Sequence, residues 1–223
     1  MKEISMEQIN DRGITRLCHF TKSKNIPYIL GELNGILSTE TIPLQIREVN
    51  DVNRFDKRLD YICCSLEYPN IYYLDKIRDN DKLFKEWVIL AIDPSIIVDR
   101  ECLFSPVNAA TESGKYIKGG RIGFSQLYSN NVITKKRNII RSSRALKSCP
   151  TDIQAEVLIK DEIPKEYIQS IIVENEDQGR IQKIKLKYLN LESQINVIVA
   201  PELFQKEQYS KIKEGIRLRE YPL

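Results

Sequence analysis

Cys149-Pro150-Thr151-Asp152-Ile153-Gln154-Ala155-Glu156-Val157-Leu158-Ile159 reads as a loop that runs into a strand. In a strand, residues i and i+2 point to the same face. Gln154 and Glu156 are therefore expected side by side, with Val157 and Ile159 turned the other way into a core. An amide and a carboxylate presented together at the head of a core strand suit the binding of a sugar hydroxyl. The same carboxylate suits the stabilisation of positive charge on a sugar ring. A plain polar strand edge would carry the same residues, so the reading turns on what else the chain holds.

A second stretch bears on it: Ile14-Thr15-Arg16-Leu17-Cys18-His19-Phe20-Thr21-Lys22-Ser23-Lys24-Asn25-Ile26-Pro27-Tyr28-Ile29-Leu30. His19 is the only histidine in the chain and is expected at the end of a short apolar strand, residues 14–19. A helix is expected from Ser23 to residue 31, with Ile26, Ile29 and Leu30 at helical spacing. A lone histidine is usually a satisfied core residue. This one ends a strand beside a hydroxyl, where functional groups concentrate.

Charge is distributed unevenly. The net charge is only +3 over 223 residues. Yet residues 115–147 hold nine Lys or Arg, among them Arg121, Arg141 and Arg144, and no acidic residue falls between Glu112 and Asp152. With Tyr116, Phe124 and Tyr128 interleaved, this segment has the chemistry to track a phosphate backbone and stack bases. A solvated basic face is the competing reading. Five cysteines without C-x-x-C spacing, and a single histidine, make no metal motif. Their odd number fits reduced thiols, and Cys63 and Cys64 read as small core residues. The hydrophobic share of 42% and charged share of 29% describe a globular chain, expected to form one domain over residues 1–223. No apolar run reaches membrane-span length and Met1-Lys2-Glu3-Ile4-Ser5 has no apolar signal region, so a cytoplasmic location is expected.

The remaining pattern is mixed, with strands dominating the core. Strands are expected at residues 60–66, 87–92, 101–104, 155–160, 168–174, 182–189 and 195–199. Residues 71–85 read as a helix, residues 111–147 as an irregular insert, residues 163–168 as a linker and turn, and residues 205–217 as a helix. The order does not alternate strand and helix, which argues against a doubly wound sheet.

Five segments together resemble the DarT family of ADP-ribosyltransferase toxins, which modify DNA bases using NAD. They are Leu17-Cys18-His19-Phe20-Thr21 with Asn25-Ile26 and Ile29-Leu30; Asn53-Arg54-Phe55-Asp56; Ile62-Cys63-Cys64-Ser65-Leu66-Glu67-Tyr68-Pro69-Asn70; Phe104-Ser105-Pro106-Val107-Asn108-Ala109-Ala110; and Pro150-Thr151-Asp152 with Gln154-Ala155-Glu156-Val157-Leu158. They run in the family's order across residues 14–175. The resemblance implies an α+β fold: a split, mostly antiparallel β-core of the ADP-ribosyltransferase type, with peripheral helices and NAD in the cleft.

The roles it implies are these. Glu156 accepts a hydrogen bond from the nicotinamide-ribose 2′-hydroxyl and stabilises the oxocarbenium ion. His19 holds the adenosine-side ribose, and Thr21 helps to seat the cofactor. Ser65 supports the nicotinamide ribose. Tyr68, with Pro69 and Asn70, shapes the nicotinamide pocket. Arg54 contacts the pyrophosphate or polarises the base, with Arg58 as its alternative and Asp56 orienting either. Gln154 meets the acceptor base or orders the loop, and Arg121, Arg141 and Arg144 meet its strand. Asn108 orders the turn that frames the cleft. The resemblance further implies NAD as co-substrate with no metal, single-stranded DNA as partner, and a macrodomain-containing antitoxin. Cys63-Cys64-Ser65-Leu66-Glu67-Tyr68 departs from the aromatic-rich strand and Arg-Ser-Pro segment of thymidine-modifying members. Thymidine and guanosine therefore both stand as acceptors. RNA, a protein, a small molecule, or water in a glycohydrolase are the alternatives, and a non-catalytic nucleic-acid binder is the last.

Overall fold

The computed structural model describes residues 4–44 and 56–223. Helix α1, Met6–Arg12, opens the described chain; Ser5 and Gln8 form a reciprocal capping box at its start and Gly13 closes it in the left-handed region. Strand β1, Leu17–Lys22, follows, and then β2, Gly35–Leu37. Strand β3, Tyr61–Leu66, leads into helix α2, Ile71–Asn80, and strand β4, Trp87–Ile92. Next come α3, Ile96–Asp99; β5, Cys102–Ser105; β6, Lys118–Gly119; and α4, Gly120–Gln126. A hairpin of β7, Asn131–Ile133, and β8, Asn138–Ile140, precedes β9, Glu156–Lys160, and β10, Glu162–Pro164. The chain finishes with β11, Ile168–Val173; α5, Glu176–Tyr188; β12, Asn196–Val199; α6, Gln208–Lys213; and β13, Tyr221–Pro222.

Nine of these strands form one sheet in the order β13-β12-β11-β4-β1-β3-β9-β5-β6. The β11–β12 pair is parallel, and the other neighbours for which a register is defined are antiparallel. The mixed, mostly antiparallel core expected from the sequence is therefore present. Continuous apolar runs explain the central strands. All six residues of Trp87–Ile92 are buried, as a strand covered on both faces requires. One face packs Leu90, Ile92, Val157, Ile159 and Phe104. The other packs Ile89, Ala91 and Ile172 under Ile71, Leu74 and Ile77 of α2.

The seam between β1 and β3 decides where the site lies. Strand β1 pairs with β4 along its full length, Leu17 through Lys22. Against β3 it pairs only at Leu17 with Leu66 and Cys18 with Ser65. Past Cys18 the register ends, and the sheet forks. On the flank, β2 and β10 form a separate two-stranded ribbon. Gly35 is required there: its φ is 150°, and a Cβ would lie 2.3 Å from the Ile163 carbonyl oxygen.

Three expectations need correction. Residues 182–189 are not a strand: they are the last turns of α5 and its C-cap, Leu189. Their Lys-Ile-Lys-Leu-Lys alternation is not a burial pattern, because Ile184 is 56% exposed. The buried positions are Gly179, Gln182 and Leu186, at helical spacing, and the Asn175 side chain caps the helix by accepting from the Gln178 N–H. The parallel β11–β12 pair also demands a crossover between its strands. Secondly, the helix expected at residues 23–31 is a 3₁₀ turn, Ser23–Asn25, and a π turn, Tyr28–Glu32, separated around Pro27, whose ring nitrogen cannot donate to a helix. Ile26, Ile29 and Leu30 are nonetheless buried. Thirdly, the carboxylate strand begins at Glu156, so Gln154 lies in the turn before it and does not share its pleat.

Candidate active site

The fork between β1 and β3 opens into a cleft of about 210 Å³. One wall is Cys18–Thr21 of β1, another Tyr61–Ser65 of β3; Ile36, Leu37 and Ser38 close the flank, and Asn108, Ala110 and Glu156 complete it.

Glu156 is the first residue of β9 and only 8% exposed. Its register partner across the sheet is Ser105 at the end of β5. The chain leaving β5 turns back over the carboxylate. The Ala109 N–H donates to Oε2 at 2.6 Å, and the Asn108 amide donates to Oε1 at 3.4 Å. Asn108 is itself fixed, its Oδ1 accepting from the Ala110 N–H at 3.1 Å. The arrangement is thus a buried carboxylate, oriented by the Ala109 main chain and the Asn108 amide, on the rim of the cleft.

His19 stands at the fork. Its Nδ1 lies 3.0 Å from the Cys63 carbonyl oxygen. A carbonyl only accepts, so Nδ1 carries the proton and Nε2 is left as an acceptor. Burial lowers the histidine below its ordinary pKa of 6.5, and the bond to Cys63 opposes that shift. Thr21, buried two residues on, accepts from the Asn25 amide at 3.1 Å. Ser65 sits at the last paired position of the seam, and its Oγ accepts from the Asn70 N–H at 3.1 Å. Asn70 caps α2 through the Tyr73 N–H at 3.2 Å.

The structure thus brings Glu156, His19, Thr21 and Ser65 to one cleft, with Asp56 and Asn70 on the same walls. Other expected residues lie elsewhere. Arg54 falls outside the described residues. Arg58 is exposed, its guanidinium 5.8 Å from the Tyr61 ring centroid. Tyr68 does not line the cleft. It packs with Ile71, Cys149 and Ile153 under the other face of the sheet and borders a second cavity of about 20 Å³. Its place follows from Glu67, which takes a left-handed φ of 65° and reverses the chain. Gln154 is absent from the cleft wall, and its N–H donates to Asp152.

Nor do the three arginines line the cleft. Arg141 is half-buried and donates to the Cys149 and Leu146 carbonyls, both at 2.9 Å, because a guanidinium so placed needs acceptors. Arg144 pairs with Glu214 at 3.0 Å. Arg121 is exposed on α4. Cys63 and Cys64 are cleft residues as well as packing residues. Two contributors went unmarked by any motif: the β2 flank, which carries ordinary apolar residues, and Tyr73, which reaches the cleft from α2. Asn25, four residues after Thr21, was the readable clue to the turn that closes this end.

The model of the family described as ssDNA thymidine ADP-ribosyltransferase, DarT, matches residues 18–205. The chain belongs to the DarT family. It is accordingly an NAD-dependent ADP-ribosyltransferase. Solved DarT structures share its fold at low identity. Thermus sp. 2.9 DarT in complex with NAD+ has a TM-score of 0.60 and 15% identity, covering 86% of this chain and 98% of that one. Thermus sp. 2.9 DarT in complex with ADP-ribosylated ssDNA has a TM-score of 0.62 and 13% identity, with coverages of 86% and 97%. Thermosipho africanus DarTG in complex with ADP-ribose has a TM-score of 0.56 and 20% identity, covering 85% of this chain but 51% of that one. No curated protein matches the chain. Among the described residues, no helix is long and apolar enough to cross a membrane.

Proposed function

We propose that the cleft at the β1–β3 fork binds NAD and that Glu156 directs transfer of its ADP-ribose to a base, thymine first, of single-stranded DNA. The observation that carries this reading is the Glu156 carboxylate, buried on the cleft rim and held by the Ala109 N–H at 2.6 Å. It is preorganised to accept from a ribose 2′-hydroxyl and to stabilise the charge that grows on that ribose. In the transfer, the bond from ribose C1′ to nicotinamide breaks with its electron pair leaving on nicotinamide. C1′ then bonds to a nucleophilic atom of the base, which gives up a proton to solvent. His19 Nε2 and the Thr21 hydroxyl supply acceptors for ribose hydroxyls, and Ser65 supports the ribose next to the reacting carbon. Arg54 keeps the role the resemblance implies, on the pyrophosphate or the base.

The acceptor strand has a matching surface beside the cleft. The β7–β8 hairpin packs Val132 and Ile139 down onto Val107, one residue before Asn108. Its outer face presents Asn131, Ile133, Asn138 and Ile140, and its turn presents Lys135 and Lys136. Ile133 and Ile140 are 65% and 67% exposed. Arg137 is taken up by Asp152, and Glu112 accepts from the Lys135 N–H and the Tyr116 hydroxyl, so the positive charge that the hairpin offers a strand is that of the Lys135 and Lys136 side chains. Apolar side chains, amides and lysines together suit stacked bases and phosphates. A base within a duplex is out of reach of such a site, which favours single strands. Thermosipho africanus DarTG, of whose chain the match covers 51%, supports a further reading, that a macrodomain-type antitoxin partner removes the modification this chain installs.

The test is mass spectrometry of short single-stranded DNA and RNA oligonucleotides incubated with NAD and the protein, with Glu156→Ala alongside. The expected result is one added ADP-ribose on a DNA base, absent with the variant. NAD consumption without modification of any oligonucleotide would overturn the acceptor and leave the cleft.

A further inference from the structure

Asp152 is 1% exposed and stands in the turn that leads into β9. That turn is built on it. Its Oδ1 accepts from the Gln154 N–H at 3.1 Å, and its carbonyl accepts from the Ala155 N–H at 2.9 Å. The next residue is Glu156, so Asp152 sets the direction in which the chain enters the carboxylate strand. Its Oδ2 is answered from outside the turn, by the Arg137 guanidinium at 2.8 Å. A carboxylate so buried needs such a partner, and a phosphate that drew Arg137 away would leave it unpaired. Arg137 is therefore set apart from the neighbouring Lys135 and Lys136, whose ammonium groups are the ones offered to a strand.

Arg137 is itself fixed by the hairpin. It closes the β7–β8 turn, its carbonyl accepting from the Thr134 N–H at 2.8 Å and its N–H donating to the Thr134 hydroxyl at 2.9 Å. The same hairpin holds the chain on the other side of Glu156. The Lys135 N–H donates to the Glu112 carboxylate at 2.9 Å, just beyond the Asn108–Ala109 segment that binds Glu156. Glu112 and Ser113 take left-handed φ values of 50° and 58°, a conformation that such residues keep only where their contacts enforce it. The hairpin thus grips both the turn that delivers Glu156 and the segment that covers it. We propose that Arg137 and Asp152 are positioning residues for Glu156: their ion pair clamps the turn that aims the carboxylate, with the hairpin as its brace. This rests on the reading of Glu156 as the group that directs transfer. It takes Arg137 out of the basic surface that meets the strand and assigns it to the step that cleaves NAD. The face that receives the strand and the carboxylate then belong to one braced unit.

The experiment follows nicotinamide release by the full chain, with and without a thymidine-containing single-stranded DNA oligonucleotide, beside calorimetric titration with carba-NAD+, which resists cleavage. The variants are Arg137→Gln, Asp152→Asn, the two combined, Arg137→Lys, and Glu156→Gln as the reference. Asp152→Asn keeps an acceptor for the Gln154 N–H and buries no charge, so it reports on the clamp even where Arg137→Gln does not fold. The expected result is a kcat about tenfold lower in Arg137→Gln and in Asp152→Asn, with or without oligonucleotide, because a small displacement of a catalytic group costs rate on that scale or more. The KM for the oligonucleotide and the affinity for carba-NAD+ hold. The double variant loses no more than either single one, and Arg137→Lys recovers most of the rate. A raised KM for the oligonucleotide, with nicotinamide release unchanged in its absence, would overturn the proposal and make Arg137 a phosphate contact. An unchanged kcat in both single variants would overturn it as well. Turnover in Glu156→Gln equal to that of the unsubstituted protein would instead overturn the reading of Glu156.

Discussion

Replacing Glu156 by glutamine separates charge from shape at the most committed position of the cleft. The amide is nearly isosteric, and its carbonyl can still accept from the Ala109 N–H. Its NH₂ then faces the Asn108 NH₂ across the present 3.4 Å contact, and Asn108 cannot rotate away without giving up the Ala110 N–H. That donor–donor contact and the weaker bond to Ala109 are each worth about 1 kcal/mol. Removal of a buried charge returns desolvation energy of similar size. Net stability should change by no more than about 1 kcal/mol, a shift of a few degrees in melting temperature. Turnover is another matter, because the substituted group stabilises charge only as the transition state forms. A loss of about 10²–10³ in kcat, equivalent to about 2.7–4 kcal/mol, is expected with little change in affinity for carba-NAD+. Single-turnover assays by mass spectrometry, run beside calorimetric titration and thermal melts, separate the three quantities. A kcat within tenfold of the unsubstituted protein, with melting unchanged, would refute the role given to the carboxylate.

His19 is held below its ordinary pKa by burial, so the fold favours its neutral form. The unfolded chain binds the extra proton first; the stability conferred by neutral His19 is therefore complete above about pH 6.5 and falls as pH drops through the folded-state value. Melting temperature between pH 7.5 and 5 should fall less steeply in His19→Gln than in the unsubstituted chain, and equal slopes would count against the assignment. Gln182 is fully buried in α5 and neither amide atom is hydrogen-bonded among the described residues; Gln182→Met should stabilise by about 1–3 kcal/mol in urea unfolding without altering turnover. Lys135→Glu with Lys136→Glu should raise the KM for a single-stranded oligonucleotide about tenfold and flatten its salt dependence, while NAD cleavage without oligonucleotide holds steady. An unchanged salt slope would remove the hairpin from the acceptor path.

What the sequence displays directly is chemistry tied to burial. Trp87–Ile92 has no polar residue, and only a strand covered on both faces accommodates it. Glu156 precedes Val157 and Ile159, whose burial on the opposite face turns the carboxylate outward. The cleft wall at residues 36–38 depends on a contact with β10 more than a hundred residues away, and nothing local signals it. Lys183 to Lys187 misleads because an alternating run of lysine and aliphatic residues fits either period. The arbiter, the parallel pairing of β11 with β12, is a tertiary fact. Arg141 misleads differently: its charge is visible in the sequence, but the carbonyls that occupy its donors are not.

The fork has one more consequence. Cleft-lining residues run without interruption along both strands, Cys18 to Thr21 and Tyr61 to Ser65, instead of at every second position. Uninterrupted runs mean that strand edges, rather than side-chain faces, meet the opening. Past Cys18 the two strands no longer have each other as ladder neighbours, and the His19 ring, bonded to the Cys63 carbonyl, bridges them. A polar guest that enters there meets main chain as well as side chains. Recognition written into main-chain geometry is indifferent to most substitutions. A scaffold of this kind can keep its fold while the sequence drifts to 13–20% identity.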